Sequence, residues 1–226
     1  MKTLYSALII DDHPLIAEAY ESAFKKVSEL DPNMTFSILK SYDCDTAFEQ
    51  IKKFSKGVIK LDIVILDIKL PPSNDGKILS GEDLGIKINQ VLLDTKIIVS
   101  TTLNDNYRVH NILKSIDPDG FLIKNDINAQ ELVDAIRSTI IDPPYYSKSV
   151  IKLLRKQVST DYLLDIIDRK LLYEISIGTR TKDLPDILPL SIAGIEKRKR
   201  QLKQTFNTET DEDKELIMKA KEKGFL

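Results

Sequence analysis

Residues 61–67, Leu-Asp-Ile-Val-Ile-Leu-Asp, limit what this chain can fold into more than any other stretch. Ile63 to Leu66 are apolar, mostly β-branched, without polar alternation, and too few to make a helix. That pattern marks a strand covered on both faces, and such strands belong to parallel sheets. Asp67 closes the strand. Open α/β sheets bind ligands beyond the carboxyl ends of their strands, near the point where strand order reverses, so Asp67 gains meaning if other polar residues converge on it.

The N-terminal half supplies the partner strands. Leu4 to Ile10 is an apolar run ended by Asp11-Asp12-His13-Pro14, with Pro14 suited to the first turn of a helix. Ile16, Ala19, Tyr20, Ala23, Phe24 and Val27 then keep helical spacing. A shorter strand over Thr35 to Leu39 and a shorter helix over Thr46 to Phe54 follow. Past Asp67 a breaker-rich loop leads to a helix from about Glu82, with Leu84, Ile88, Val91 and Leu92 inward. Lys96 to Thr101 reads as the fourth strand, and a helix from about Asp105 puts Val109, Ile112, Leu113 and Ile116 on one side. Phe121 to Lys124 is a fifth short strand, and Asn128 with Glu131 three residues on predicts a capping box ahead of the stripe Leu132, Ile136, Ile140. Five strand–helix units over residues 1–142 predict a doubly wound five-stranded parallel sheet covered by helices on both faces.

Composition excludes several classes. The 33 basic against 35 acidic residues give a net charge of −2, so any contact with nucleic acid must come from a local patch. A single cysteine, Cys44, leaves no disulfide framework or cysteine zinc site and fits a reducing cytosol. No apolar stretch approaches the roughly 18–20 residues that span a bilayer, and the expectation is a cytoplasmic protein without membrane contact. His13 and His110 have no ligand partners in metal-site spacing and read as surface or cap residues.

The strand ends carry Asp11 and Asp12 on the first, Asp67 on the third, Thr101 on the fourth and Lys124 on the fifth. In a doubly wound sheet these ends meet on one edge. Three carboxylates repel one another unless a cation joins them, and an oxygen-only set suits Mg2+. Phosphoryl transfer to an aspartate needs those parts: a carboxylate nucleophile, a divalent ion, and fixed donors such as Lys124 and Thr101.

Asp11-Asp12, Asp67 followed by Leu70-Pro71, Thr101, and Phe121 to Lys124 together resemble the receiver domain of two-component response regulators, across about residues 1–142. The resemblance implies the flavodoxin-like strand order. It implies Asp67 as the phosphoacceptor for a sensor histidine kinase, and Asp11, Asp12 and the backbone carbonyl of Lys69 as further Mg2+ ligands. It also implies Lys124 as partner of the phosphoryl group and Thr101 with Phe121 as a switch, in which Phe121 turns inward when Thr101 moves. Residues Pro72 to Ser80 form an insertion ahead of Gly81, read either as a tolerated surface loop or as a shield for Asp67 or a kinase selector.

Asp142-Pro143-Pro144 breaks the pattern and opens a linker over 143–160, with a short amphipathic helix from Val150 to Lys156. Residues 161–226 then predict a small all-α domain: a helix through Leu163, Ile166, Ile167, Leu171 and Ile175 stopping at Gly178, a short one over Thr181 to Leu188, a third capped by Ser191, and a fourth over Asp211 to Lys221. Projected at 100° per residue, the third helix puts Ile192, Ile195, Leu202 and Phe206 on one side and Ala193, Lys197, Arg200, Gln201 and Gln204 on the other. Lys199 falls among the apolar positions. Gly178, Leu190-Ser191, Ile195, Leu202 and Phe206 resemble the helix-turn-helix output domain of LuxR/FixJ-type (NarL-like) regulators. That likeness implies double-stranded DNA as partner, met by Ser191, Ala193, Lys197, Arg198, Arg200, Gln201 and Gln204. It also implies a homodimer on phosphorylation, reading half-sites about 34 Å apart.

The expectation is therefore a DNA-binding response regulator and not an enzyme. One rival keeps the receiver but gives the C-terminal domain a protein partner. Another, an aspartate-nucleophile phosphohydrolase, is disfavoured because the position two after the nucleophile, where that class keeps an acid/base aspartate, is Lys69.

Overall fold

The computed structural model describes residues 2–102, 106–155 and 164–226. The expected helix start at Asp105, the end of the short linker helix at Lys156, and the first residues of the C-terminal domain, Asp161 and Leu163, lie outside the described residues. The chain divides into two compact units: the described residues of 1–104 with 112–156, and those of 105–111 with 157–226.

Through residue 154 the elements are β1 (Thr3–Ile10), α1 (Pro14–Leu30), β2 (Met34–Ser41), α2 (Cys44–Lys56), β3 (Ile63–Asp67), α3 (Gly81–Val91), β4 (Lys96–Thr101), α4 (Asn106–Ile116), β5 (Gly120–Ile123), α5 (Ala129–Ile141), β6 (Tyr145–Tyr146) and α6 (Lys148–Leu154). The sheet is parallel in every pairing, in the order β2-β1-β3-β4-β5-β6. All five residues of β3 are buried, as expected of a central strand with both faces covered. Because side chains alternate across the sheet, Ala7, Ile9, Ile63, Ile65, Ile98 and Leu122 share one face and pack against Tyr20, Phe24 and Val27 of α1 and Leu132, Val133 and Ile136 of α5. The opposite set, Leu8, Ile10, Val64, Leu66 and Val99, is buried too.

Two local details differ from expectation and one agrees. A sixth strand follows the proline pair, pairing Tyr145 and Tyr146 with Gly120 and Phe121, where the sequence showed only a break. Two residues carry no periodicity to read. Val91 and Ala19 are exposed, each lying at the margin of its helix's apolar stripe. The capping box on α5 is present in full, with Asn128 and Glu131 each accepting the other's backbone N–H at 3.0 Å.

The second unit contains α7 (Ile166–Ser176), a 3-10 turn over Thr181–Asp186 that accommodates Pro185, α8 (Ile192–Thr205) and α9 (Asp213–Glu222). Its core is Leu171, Leu172, Ile175, Leu184, Ile195, Leu202, Phe206 and Leu216. Gly178 takes a positive φ of 91°, which ends α7 with a turn that residues bearing a Cβ rarely adopt. No helix among the described residues is long and apolar enough to cross a membrane.

Candidate functional site

Strand order reverses between β1 and β3, and the residues ending those two strands are Asp11 and Asp67. Both carboxylates are buried, with 0% and 3% of the side chain exposed, and Lys124 after β5 reaches between them. Its Nζ lies 2.6 Å from Asp11 Oδ2 and 2.6 Å from Asp67 Oδ2. The other oxygen of each acid accepts a backbone N–H two residues on, from His13 to Asp11 Oδ1 (3.0 Å) and from Lys69 to Asp67 Oδ1 (2.9 Å). Each carboxylate is thus oriented by one main-chain donor and one ammonium, which offsets the cost of burying it.

Asp12 and His13 complete the rim. One ligand atom from each of Asp11, Asp12, His13 and Asp67 falls within 4.8 Å of the others. Asp12 Oδ1 is buried and takes no hydrogen bond. Three carboxylates face a single ammonium, so the pocket has acidic groups to spare. Oxygen donors in excess of the Lys124 ammonium fit a hard divalent ion such as Mg2+.

Thr101 ends β4 fully buried, beside Ile123 in register. Phe121 is 0% exposed, so an inward turn on activation has no outward starting position here. Beneath the pocket, Tyr20 Oη donates to Ser100 Oγ at 2.7 Å, and Ser100 pairs in register with Asp67. Burial pushes the Tyr20 hydroxyl well above its usual range, with the charges of Asp11 and Asp67 adding to the shift. Cys44 is buried, and that burial pushes its thiol up to about 12, with Asp83 and other nearby carboxylates adding, so it is an inert packing residue.

The insertion at Pro72 to Ser80 is closed on itself. Ser73 N–H donates to Ile78 O (2.8 Å), Ile78 N–H to Ser73 Oγ (3.0 Å), and Asn74 ties the loop to Asp45 on α2. Its far end returns Gly81 against the site: a Cβ there would stand 1.8 Å from the backbone oxygen of Asp67. Sequence reading located this glycine without its reason, which is the close approach of two backbones.

In the second unit Ser191 caps α8 by accepting the Gly194 N–H at 3.2 Å. Ser191, Ala193, Lys197, Arg200, Gln201 and Gln204 are all exposed. Arg198 differs: its Nη1 lies 2.7 Å from both Asp165 and Asp168, so its guanidinium is committed within the domain. Lys199, with no role evident in the sequence, is 6% exposed and reaches Asp213 Oδ2 (2.7 Å) and Thr181 Oγ1 (3.1 Å). A lysine on an apolar face needs a carboxylate, and the acidic start of α9 was the available signal. Ile192, expected inward, is 53% exposed in the first turn of α8.

No family model matches the chain. In sheet order, acid–ammonium pocket and helical C-terminal unit the chain is similar to two-component response regulators that pair an α/β domain with a helical one. Among its relatives, the oxygen regulatory protein NreC of Staphylococcus epidermidis is 26% identical over 210 residues, covering 84% of this chain and 92% of the relative. NreC of Staphylococcus carnosus is 24% identical over 232 residues, covering 97% and 98%. A solved structure of RcsB from Salmonella enterica serovar Typhimurium, bound to promoter rprA in the presence of phosphomimetic BeF3−, is similar in fold, with a TM-score of 0.63, 18% identity, and coverage of 96% of this chain and 98% of that one.

Proposed function

We propose that the chain is a phosphorylation-controlled, DNA-binding transcription regulator whose phosphoacceptor is Asp67. The observation that carries this reading is the single ammonium of Lys124 at 2.6 Å from both Asp11 and Asp67. It holds a buried carboxylate oxygen at the strand-order reversal and stands ready to follow charge onto a phosphoryl group. An oxygen of Asp67 attacks the phosphorus of a phosphohistidine on the kinase; the new P–O bond forms as the P–N bond breaks, and the imidazole leaves with a proton. Asp11, Asp12 and Asp67, with the carbonyl of Lys69, would hold Mg2+, which neutralises charge on the transferring group. Thr101, buried at the end of β4, is the hydroxyl we assign to answer the new oxygens. Phosphorylation then shifts a pre-existing equilibrium towards a DNA-binding homodimer.

On the output side the exposed face of α8 offers Lys197, Arg200, Gln201 and Gln204 to phosphates and base edges, with Ser191 and Ala193 small enough for close approach. Arg198 is withdrawn from that set by its two carboxylates. The RcsB structure shares this fold and is bound to a promoter.

The test is phosphorylation by acetyl phosphate with Mg2+, followed by DNA binding across salt concentrations. Asp67→Asn should abolish the phosphoprotein and leave only weak DNA binding. Lys197→Ala and Arg200→Ala should each lower the salt slope by about 1, as expected for one lost phosphate contact, while Arg198→Ala should leave the slope unchanged. Salt-independent binding, or label retained on the Asp67→Asn protein, would overturn the reading.

A further inference from the structure

The exposed face of α8 is not all basic or amide. Ala193, Glu196, Lys197, Arg200, Gln201 and Gln204 are exposed and recur at the three-and-four spacing of one helix face. Glu196 and Gln201 flank that face about equally far from its midline, so the carboxylate shares a surface with Lys197 and Arg200. The domain gives it little to hold. Its side chain is 49% exposed, and its Oε1 stands 3.8 Å from Lys199 Nζ, beyond hydrogen-bond reach. That lysine is already held by Asp213 at 2.7 Å and Thr181 at 3.1 Å. Arg198 on the same helix turns to Asp165 and Asp168, each at 2.7 Å. Among the described residues, then, Glu196 has only a loose ion pair, on a face otherwise suited to phosphates and base edges.

We propose that Glu196 selects cytosine, accepting a hydrogen bond from the N4 amino group of a C·G pair in each half-site, and penalises the other bases there. The inference rests on the reading of the second unit as a DNA-binding domain. Phosphates repel a carboxylate, so Glu196 weakens every complex in which no donor meets it. The major groove offers donors only from the amino groups of cytosine and adenine, while guanine and thymine turn acceptors to it. Adenine sets its N7 acceptor beside the amino group, which suits an amide such as Gln201 and repels a carboxylate; cytosine carries no acceptor on its own major-groove edge. Glu196 lies in the second turn of α8, near the end from which a recognition helix reaches the bases.

The experiment selects duplexes from a randomised library with the full chain treated with acetyl phosphate and Mg2+, for the wild type, Glu196→Gln and Glu196→Ala. It then measures affinity for the selected duplex and for its single-base variants. The wild type should select cytosine at one position of each half-site and bind about tenfold more weakly when that pair is changed. Glu196→Gln should move that position towards adenine, which an amide meets at both N6 and N7. Glu196→Ala should leave it without preference, keep the preferences elsewhere, and bind unselected duplex more tightly than the wild type. A mere strut to Lys199 would lower affinity evenly across sequences and shift no base preference. If the wild type and Glu196→Ala show the same preferences at every position, or the base lost in Glu196→Ala is not cytosine, the role of Glu196 falls and DNA binding stands. If the wild type binds no duplex, the DNA-binding reading falls and Glu196 with it.

Discussion

Two lysines, one in each unit, are equally withdrawn from solvent, with 8% of the side chain exposed in both Lys124 and Lys199. Lys124 sits between carboxylates that are themselves 0% and 3% exposed. Lys199 meets Asp213, whose side chain is 35% exposed and which also forms an ion pair with Lys203 at 3.0 Å. The first lysine bridges two buried acids; the second is one of two cations on a partly solvated acid. A burial figure is therefore a poor guide to role: what matters is whether the partner has another way to be satisfied. Where it has none, removing the lysine leaves the charge stranded. Where it has one, the cluster is a strut that tolerates its loss.

That contrast is broken most directly by removing each ammonium. Lys124→Met leaves Asp11 and Asp67 buried together without a cation, and breaking a buried pair this way costs about 3–5 kcal/mol. Urea unfolding in chelator should show that loss, and added Mg2+ should recover part of it. Lys199→Met puts an apolar chain among Ile195, Leu202 and their neighbours while Asp213 keeps Lys203 and water, so its cost should stay within about 1 kcal/mol. Equal losses for the two variants would erase the distinction between pocket and strut.

The sheet and the pocket were legible because both depend on where apolar runs stop. Ile63 to Leu66 name a buried strand, Asp67 its end, and the topology of a parallel sheet does the rest, bringing 11, 67 and 124 together across long sequence separations. Features that depend on pairing across the chain were not legible. Arg198 looked like its basic neighbours until Asp165 and Asp168 came alongside it from α7. The β6 strand is too short to show alternation, and it lies parallel beside Phe121, a residue expected to move inward that is already there. The insertion read as a surface loop because its residues are turn formers, but many of its bonds run from backbone to side chain, through Ser73, Asp75 and Asp83, which no periodicity reports. His13, read as a surface or cap residue, stands 64% exposed at the N-cap position of α1.

A smaller effect sharpens the comparison from the side of the exposed charges. Glu215 of α9 accepts the backbone N–H groups of Glu209 (2.8 Å) and Thr210 (2.7 Å) and the Thr210 hydroxyl, holding the loop between α8 and α9. The Thr210 hydroxyl, then these backbone donors, hold its carboxyl down at about 2, against an ordinary 4.5. A carboxylate whose folded pKa is depressed contributes stability that is present above its unfolded pKa and is lost as pH falls through the folded one, so the contribution fades between 4.5 and about 2. The backbone amide resonances of Glu209 and Thr210 should titrate together with a midpoint near the lower end of that window, and Glu215→Gln should abolish the titration while leaving the Asp67 pocket and its metal response untouched. A midpoint near 4.5 would mean that the three donors do not hold the carboxylate in solution. The exposed loop would then owe its shape to α8 and α9 alone, and the second unit's charged network would be confined to the Lys199–Asp213 strut.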